Sequence, residues 1–171
     1  MGWCVRVHRC SIFNLTLCSQ FDMWMHVDAA WAGSALVVPE LRPLGDGLEL
    51  ADSFDFNPHK WLLTNFDCSA MWVADKKHLL QALSLTPEYL RSKEYEAGNV
   101  QDYRDWQIPL GRRFRSLKLF FVLRMFGADA LRAYIREHCT LAEQLTALVQ
   151  ADSRFQLAAP TALSLVCFKV A

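Results

Sequence analysis

Three short apolar runs precede three stretches of helical periodicity, and a further pair of apolar runs follows them. That order constrains the fold more than any other feature. Strands, a loop, long helices and strands again imply an α/β chain with a second α+β unit beginning near 115–125. The first run, Trp24-Met25-His26-Val27-Asp28, predicts a buried strand whose last residue emerges at its carboxyl end. Ala51 to Phe56 predicts a second strand, followed by the turn-prone Asn57-Pro58. Cys68 to Ala74 predicts a third, apolar on both faces as parallel and central strands are. Lys76 to Leu85 has helical spacing at Leu79, Leu80 and Leu83. Thr86 to Gln107 is charged and poor in aliphatics, and it predicts a long exposed loop of the kind that is usually functional or disordered. Arg113 to Phe126 returns to helix, and Gly127-Ala128-Asp129 separates it from a second helix to about Gln150. The predicted stripe of that second helix is Leu131, Tyr134, Ile135, Leu141, Leu145 and Leu148. Phe155 to Leu157 and Leu163 to Val170 predict strands of the new unit, the latter with no partner in view.

Composition narrows the function. Of 171 residues 53% are hydrophobic and 12% aromatic, enough for a sizeable core, which excludes disorder. The 18 basic and 18 acidic side chains balance, so a globally polybasic partner-binding protein is excluded. The cluster Arg112, Arg113, Arg115 and Lys118 taken alone could be an anion or nucleic-acid patch. However, 101–118 holds five basic and two acidic side chains, and 40–55 holds one basic and five acidic. Two compensating patches predict internal or intersubunit ion pairing, with no nucleic acid as partner. The six cysteines form no C-x-x-C pair, and Cys4, His8, Cys10 and Cys18 match no zinc spacing, so no metal is expected. A chain able to build its own core needs no disulfide scaffold, which places it in a reducing compartment. The longest apolar stretch, Leu117 to Phe126, is broken by Lys118 and Arg124 and falls far short of the roughly 20 residues that span a bilayer. No membrane partner and a cytoplasmic location follow, since the N-terminal run is also too short and polar for a secretory signal.

Two strings bear chemistry: His26-Val27-Asp28-Ala29-Ala30 and Asn57-Pro58-His59-Lys60-Trp61. The first sets a carboxylate at a strand end beside small residues that leave room for a flat ligand. The second sets a lysine just past another strand in an otherwise apolar stretch. Ligands of α/β sheets bind outside the carboxyl ends of strands, so Asp28 and Lys60 could face one pocket. A desolvated lysine attacks carbonyls, and a carboxylate opposite it keeps a pyridine nitrogen protonated, the pair that pyridoxal phosphate needs. The blander alternatives are a turn or cap aspartate and a lysine that snorkels to solvent.

The strings HVDAAWAGSA (26–35), ADSFDFNPHKWLLTNFDCSAMWV (51–73) and DYRDWQIPLGRRFRSLK (102–118) decide between them. From about Asp22 to Ala171 the chain strongly resembles the pyridoxal-phosphate-dependent decarboxylases of the aromatic-L-amino-acid decarboxylase type. The resemblance implies part of the large domain of a fold-type I enzyme over 22–115, with its mobile loop at about 86–107. Linking helices and the start of the small C-terminal domain would follow over 116–171. Residues 1–21 are left unassigned and not family-like. The resemblance further implies that Lys60 carries pyridoxal 5'-phosphate covalently and that Asp28 pairs with its ring nitrogen. Ala30 would lie near the ring, and Asn57 and His59 would help to bind the phosphate. Tyr89, in Pro87-Glu88-Tyr89-Leu90, would be the loop tyrosine that returns a proton to the substrate carbon after carbon dioxide leaves. That loop reaches the neighbouring subunit's site in the family, which makes a homodimer the active unit.

The implied reaction is the decarboxylation of aromatic L-amino acids to amines. Within the family, tyrosine at position 89 favours this over aromatic aldehyde synthesis, where phenylalanine often stands. Asn57-Pro58-His59-Lys60 resembles the aromatic rather than the histidine decarboxylases. Trp31 stands where relatives commonly carry tyrosine, a departure expected to alter the pocket slightly. The ring-stacking residue, the Ser and Thr groups that contact the cofactor and the N-terminal substrate segment have no counterpart ahead of Asp28. The expectation is a truncated or mis-started product that holds half of a pocket. A non-catalytic product or pseudoenzyme is the rival reading. On either, part of the apolar surplus belongs to surfaces meant for other segments and a second subunit.

Overall fold

The computed structural model describes residues 17–18, 20–85, 87–88, 93, 97, 100 and 102–171. Its larger sheet has three strands in the order β1-β2-β3: β1 His26–Asp28, β2 Ser53–Phe56 and β3 Ala70–Val73. β1 and β2 run parallel, with His26 opposite Ser53, Val27 opposite Phe54 and Asp28 opposite Asp55. The crossover between them contains three 3-10 segments, Ala32–Val37, Pro39–Gly45 and Leu48–Leu50. Pro43 lies inside the second segment, where the missing N–H prevents a continuous α-helix. Gly33 presses so close to β2 that a Cβ there would sit 2.5 Å from Phe56 Cβ. Only glycine permits that approach.

β2 ends where Pro58 supplies no ladder donor and instead opens the single turn α1, Pro58–Trp61, at its first position. β3 pairs antiparallel with β2 at the sheet edge. The expectation of a strand buried on both faces fails here, because among the described residues β3 has one neighbour and leaves Met71 and Trp72 more than half exposed. Trp72 covers Phe54 and Phe56 instead, stacking on Phe56 at 5.6 Å between ring centroids. α2 spans Lys77–Leu83, its first turn held by Asp75 Oδ1 accepting from Lys77 N. Residues 103–106 form a 3-10 turn that buries Asp105, so the expected exposed loop has a folded end.

α3 runs Arg115–Ala151 with a break at Gly127, whose φ of 71° and ψ of 172° are open to glycine alone. The two predicted helices are therefore present, one on each side of the break. The buried line of the second is Leu131, Ile135, Ala142 and Val149. Leu141, Leu145 and Leu148 of the predicted stripe are exposed. β4 Phe155–Leu157 and β5 Phe168–Val170 form an antiparallel pair, so the last strand does have a partner, and it is shorter than predicted.

One apolar cluster joins Cys18, Met25 and Val27, with Phe54 and Leu48 against it. A second joins Ala35, Val38, Trp61 and Ile135, with Trp31, Leu41, Tyr134 and Leu163 around it. The second cluster fixes the crossover and α1 to α3. Arg132 Nε adds a bond to Val37 O at 3.0 Å, and Arg136 Nη2 one to Glu40 Oε2 at 2.9 Å. Both charged patches make internal ion pairs, and among the described residues their partners lie outside the opposite patch. Arg113 and Arg115 both close on Asp67, at 2.9 and 3.0 Å, while Glu40 goes to Arg136.

Candidate active site

The carboxyl ends of β1 and β2 carry the two chemistry-bearing strings, and the parallel register brings them together. Asp28 closes β1 with its carboxylate exposed, and its Oδ1 accepts from Ala30 N at 3.0 Å. Among the described residues its other oxygen has no partner. Ala29 N bonds Asp55 O, and Asn57 N bonds Ala30 O at 2.8 Å, so the loop after β1 is stitched to the end of β2. α1 then presents Lys60, whose amide bonds Asn57 O at 2.9 Å. The Lys60 side chain is exposed and makes no ion pair among the described residues. The expectation of a desolvated lysine is not met, because nothing in the described chain covers that side of α1.

His59 is held by the chain at Cys68 and Phe66. Its Nδ1 lies 2.7 Å from Cys68 O and 3.0 Å from Cys68 N, and its ring meets Phe66 edge-on at 4.8 Å. Whichever tautomer it takes, the ring is pinned by Cys68, and Nε2 is the nitrogen left for a ligand. Among the described residues, buried Asn57 Oδ1 has no hydrogen-bond partner. An orphaned buried acceptor costs of order 1–3 kcal/mol, which is tolerable where a ligand completes the set. Tyr89 lies outside the described residues, as do Cys4, His8 and Cys10. Among the described residues no group of His, Cys, Asp and Glu could hold a metal ion.

Sequence reasoning missed a polar network inside the sheet. Trp24 Nε1 donates to Ser53 Oγ at 2.8 Å, and Ser53 Oγ lies 2.8 Å from His26 Nδ1. With a neutral ring, the Ser53 proton goes to His26 Nδ1, and His26 Nε2–H points at Asp55 Oδ1, 3.2 Å away. Burial pushes the Asp55 carboxyl above its usual range and the charge of Asp28 adds to this, while His26 and Lys60 offset part of it. Asp55 is thus within electrostatic reach of both chemistry-bearing residues. Its raised value means that the folded state holds the proton more tightly than the unfolded one. Asp55 therefore costs stability as pH rises through its folded value, and the cost disappears below its ordinary value of 3.8. The available signal was the set of polar residues at 26, 53 and 55 in otherwise apolar strands.

A second missed feature ties the two strings together. Trp31 stacks on Trp61 with centroids 4.9 Å apart and planes 18° from parallel. Trp31 therefore packs into the core beside α3. The residues present fit pyridoxal phosphate: the chain that follows the carboxyl ends of β1 and β2 carries an exposed primary amine, two alanines and, among the described residues, a carboxylate oxygen and an amide oxygen without partners.

The signature of the pyridoxal-dependent decarboxylase conserved domain matches residues 14–171. The aromatic-L-amino-acid decarboxylase of Cavia porcellus is 55% identical over 154 residues, covering 90% of this chain and 32% of that protein. The structure of Oryza sativa TDC with PLP and tryptamine superposes with a TM-score of 0.86 at 41% identity, over 92% of this chain and 32% of that one. The Rhodiola rosea 4-hydroxyphenylacetaldehyde synthase structure gives a TM-score of 0.78 at 38% identity, over 91% of this chain and 31% of that one. The chain therefore spans about a third of the length of the relatives it matches. The domain match covers nearly all of the chain, including the parallel β1–β2 pair that carries Asp28 and Lys60, and the chain belongs to the pyridoxal-dependent decarboxylase family.

Proposed function

We propose that this chain carries the cofactor-holding part of an enzyme that decarboxylates aromatic L-amino acids. When bound, pyridoxal phosphate supplies an electron sink conjugated to the substrate α-carbon, which takes up the electrons of the breaking carboxylate bond. Lys60 would hold the cofactor through its side-chain nitrogen in the neutral amine form. Asp28 keeps a proton on the ring nitrogen through the oxygen that Ala30 N does not use. Asn57 and His59 Nε2 take the phosphate, and Ala30 leaves a flat surface beside the ring. Tyr89 gives the proton that completes the amine. On this reading 22–115 belong to the large domain, and 116–171 are linking helices and the start of the small domain.

The observation that carries the proposal is the convergence of Asp28 and Lys60 at one sheet end, with Asp55 sensing both. The reading extends to a homodimer as the active unit, supported by the exposed Phe120, Phe121 and Met125 on the first half of α3. It also extends to the cytoplasm. Free Cys18, Cys68, Cys139 and Cys167 support a reducing compartment, and among the described residues no helix is long and apolar enough to cross a membrane.

The likeness to an aldehyde synthase structure favours one second reading, in which the product is an aldehyde. One experiment separates the outcomes. The chain is supplied with pyridoxal phosphate and an aromatic amino acid, and amine, aldehyde and carbon dioxide are measured. Amine without aldehyde, lost in Lys60→Ala, is expected. Aldehyde would replace the proposal by the second reading, and no product of either kind would mark this chain as non-catalytic by itself.

A further inference from the structure

The residue after Lys60 is held from a distant part of the chain. Trp61 is 3% exposed, and its indole Nε1 donates to His138 Nδ1 at 3.0 Å, across 77 positions of sequence. An indole N–H buried this deeply is costly without a partner, and His138 is that partner. Because indole can only donate, His138 must keep Nδ1 unprotonated. The ring of His138 is packed against Tyr134, with centroids 4.1 Å apart, and lies nearly parallel to Trp61.

The consequence falls on Lys60. α1 is a single turn, closed by Lys60 N to Asn57 O at 2.9 Å and Leu62 N to Pro58 O at 3.0 Å. One turn does not hold itself in water, since nucleation is unfavourable and few bonds repay it. Asn57 N to Ala30 O and His59 to Cys68 tie the start of the turn to the sheet end, and its far end is held at Trp61, which stacks on Trp31 and bonds His138. We infer that His138 is a positioning residue for Lys60: by accepting the Trp61 indole proton it fixes the direction in which α1 presents the lysine amine to the sheet end. This rests on the reading of Lys60 as the cofactor-holding lysine.

The test uses His138→Leu, which removes the acceptor, and His138→Asn, which offers an amide oxygen where Nδ1 stood. Trp61→Phe removes the donor and keeps a ring against Trp31. Thr146→Ala is the control on the same helix, where the hydroxyl bonds Ala142 O at 2.8 Å. Two quantities are read: amide hydrogen exchange over residues 57–64, and the rate at which pyridoxal phosphate is fixed on Lys60 by borohydride. His138→Leu and Trp61→Phe should each speed exchange at Lys60 and Leu62 by about tenfold, the weight of one buried hydrogen bond. The double variant should go no further. His138→Asn should recover most of the loss, Thr146→Ala should leave the segment unchanged, and fixation on Lys60 should follow the same order. Unchanged exchange in His138→Leu overturns the inference, as does equal acceleration in His138→Asn or in Thr146→Ala. If the unaltered chain takes no cofactor on Lys60, the cofactor reading fails, and exchange alone decides the role of His138.

Discussion

The two halves of α3 are similarly apolar and have opposite fates. Before Gly127 the helix leaves Phe120, Phe121, Leu123 and Met125 in the open. After it, Leu131 and Ile135 are fully buried, Arg132 and Arg136 reach the β1–β2 crossover, and His138 holds Trp61. Composition does not separate the halves. What separates them is that the loop after β1 and the turn after β2 both lie on the second half. Burial at Leu131 and Ile135 therefore follows the candidate site, and this stretch of the second half of α3 is its brace.

The largest expected effect comes from removing the brace at its centre. Ile135→Ala opens a cavity beneath Val38 and Trp61 and should cost about 2–5 kcal/mol in urea unfolding. A cost near zero would mean that the second half is no more structural than the first. Gly127→Ala tests the break between them. A Cβ there meets nothing within 4 Å, so the cost is purely that of backbone conformation, about 1–3 kcal/mol. Unchanged stability would show that the halves can run as one helix.

Glu40→Gln weakens the tie from the crossover to Arg136, with a smaller effect that depends on pH. The hydrogen bond from Arg136 holds the Glu40 carboxyl at about 2, against an ordinary 4.5. The stability it brings is complete above 4.5 and is lost as pH falls through about 2. The gap between the unaltered chain and Glu40→Gln should therefore close across that window, and a gap that ignores pH would remove Glu40 from the brace. The smallest effect belongs to the first half. Phe120→Ser should change stability by no more than about 0.5 kcal/mol while lowering self-association in sedimentation. A large loss would erase the contrast.

The features legible in the sequence are those set by neighbouring residues. Pro58 ends β2 and opens α1, Gly127 breaks α3, and the apolar runs of β1 and β2 carry Asp28 and Lys60 to the same end. The illegible ones depend on what returns from far along the chain. β3 reads as a buried strand, and only its place at the sheet edge exposes Met71 and Trp72. The stripe on the second half of α3 shifts to Ala142 and Val149 because the packed face is chosen by what comes back onto the helix, β4 and Leu163 among it. The bonds from His26 to Asp55, His59 to Cys68 and Trp61 to His138 join residues that local periodicity never compares. Trp31 is the instructive case. Its place in the motif suggests the pocket wall, and its stacking on Trp61 makes it part of the clasp.

The central claim is that Lys60, brought beside Asp28 by the parallel pair, holds the cofactor. Incubation of the chain with pyridoxal phosphate, borohydride reduction and peptide mass mapping address it directly. The account predicts one reduced adduct on Lys60, abolished in Lys60→Ala and diminished in Asp28→Asn. Label spread evenly over the surface lysines, or a Lys60 that stays unlabelled while others react, would contradict it.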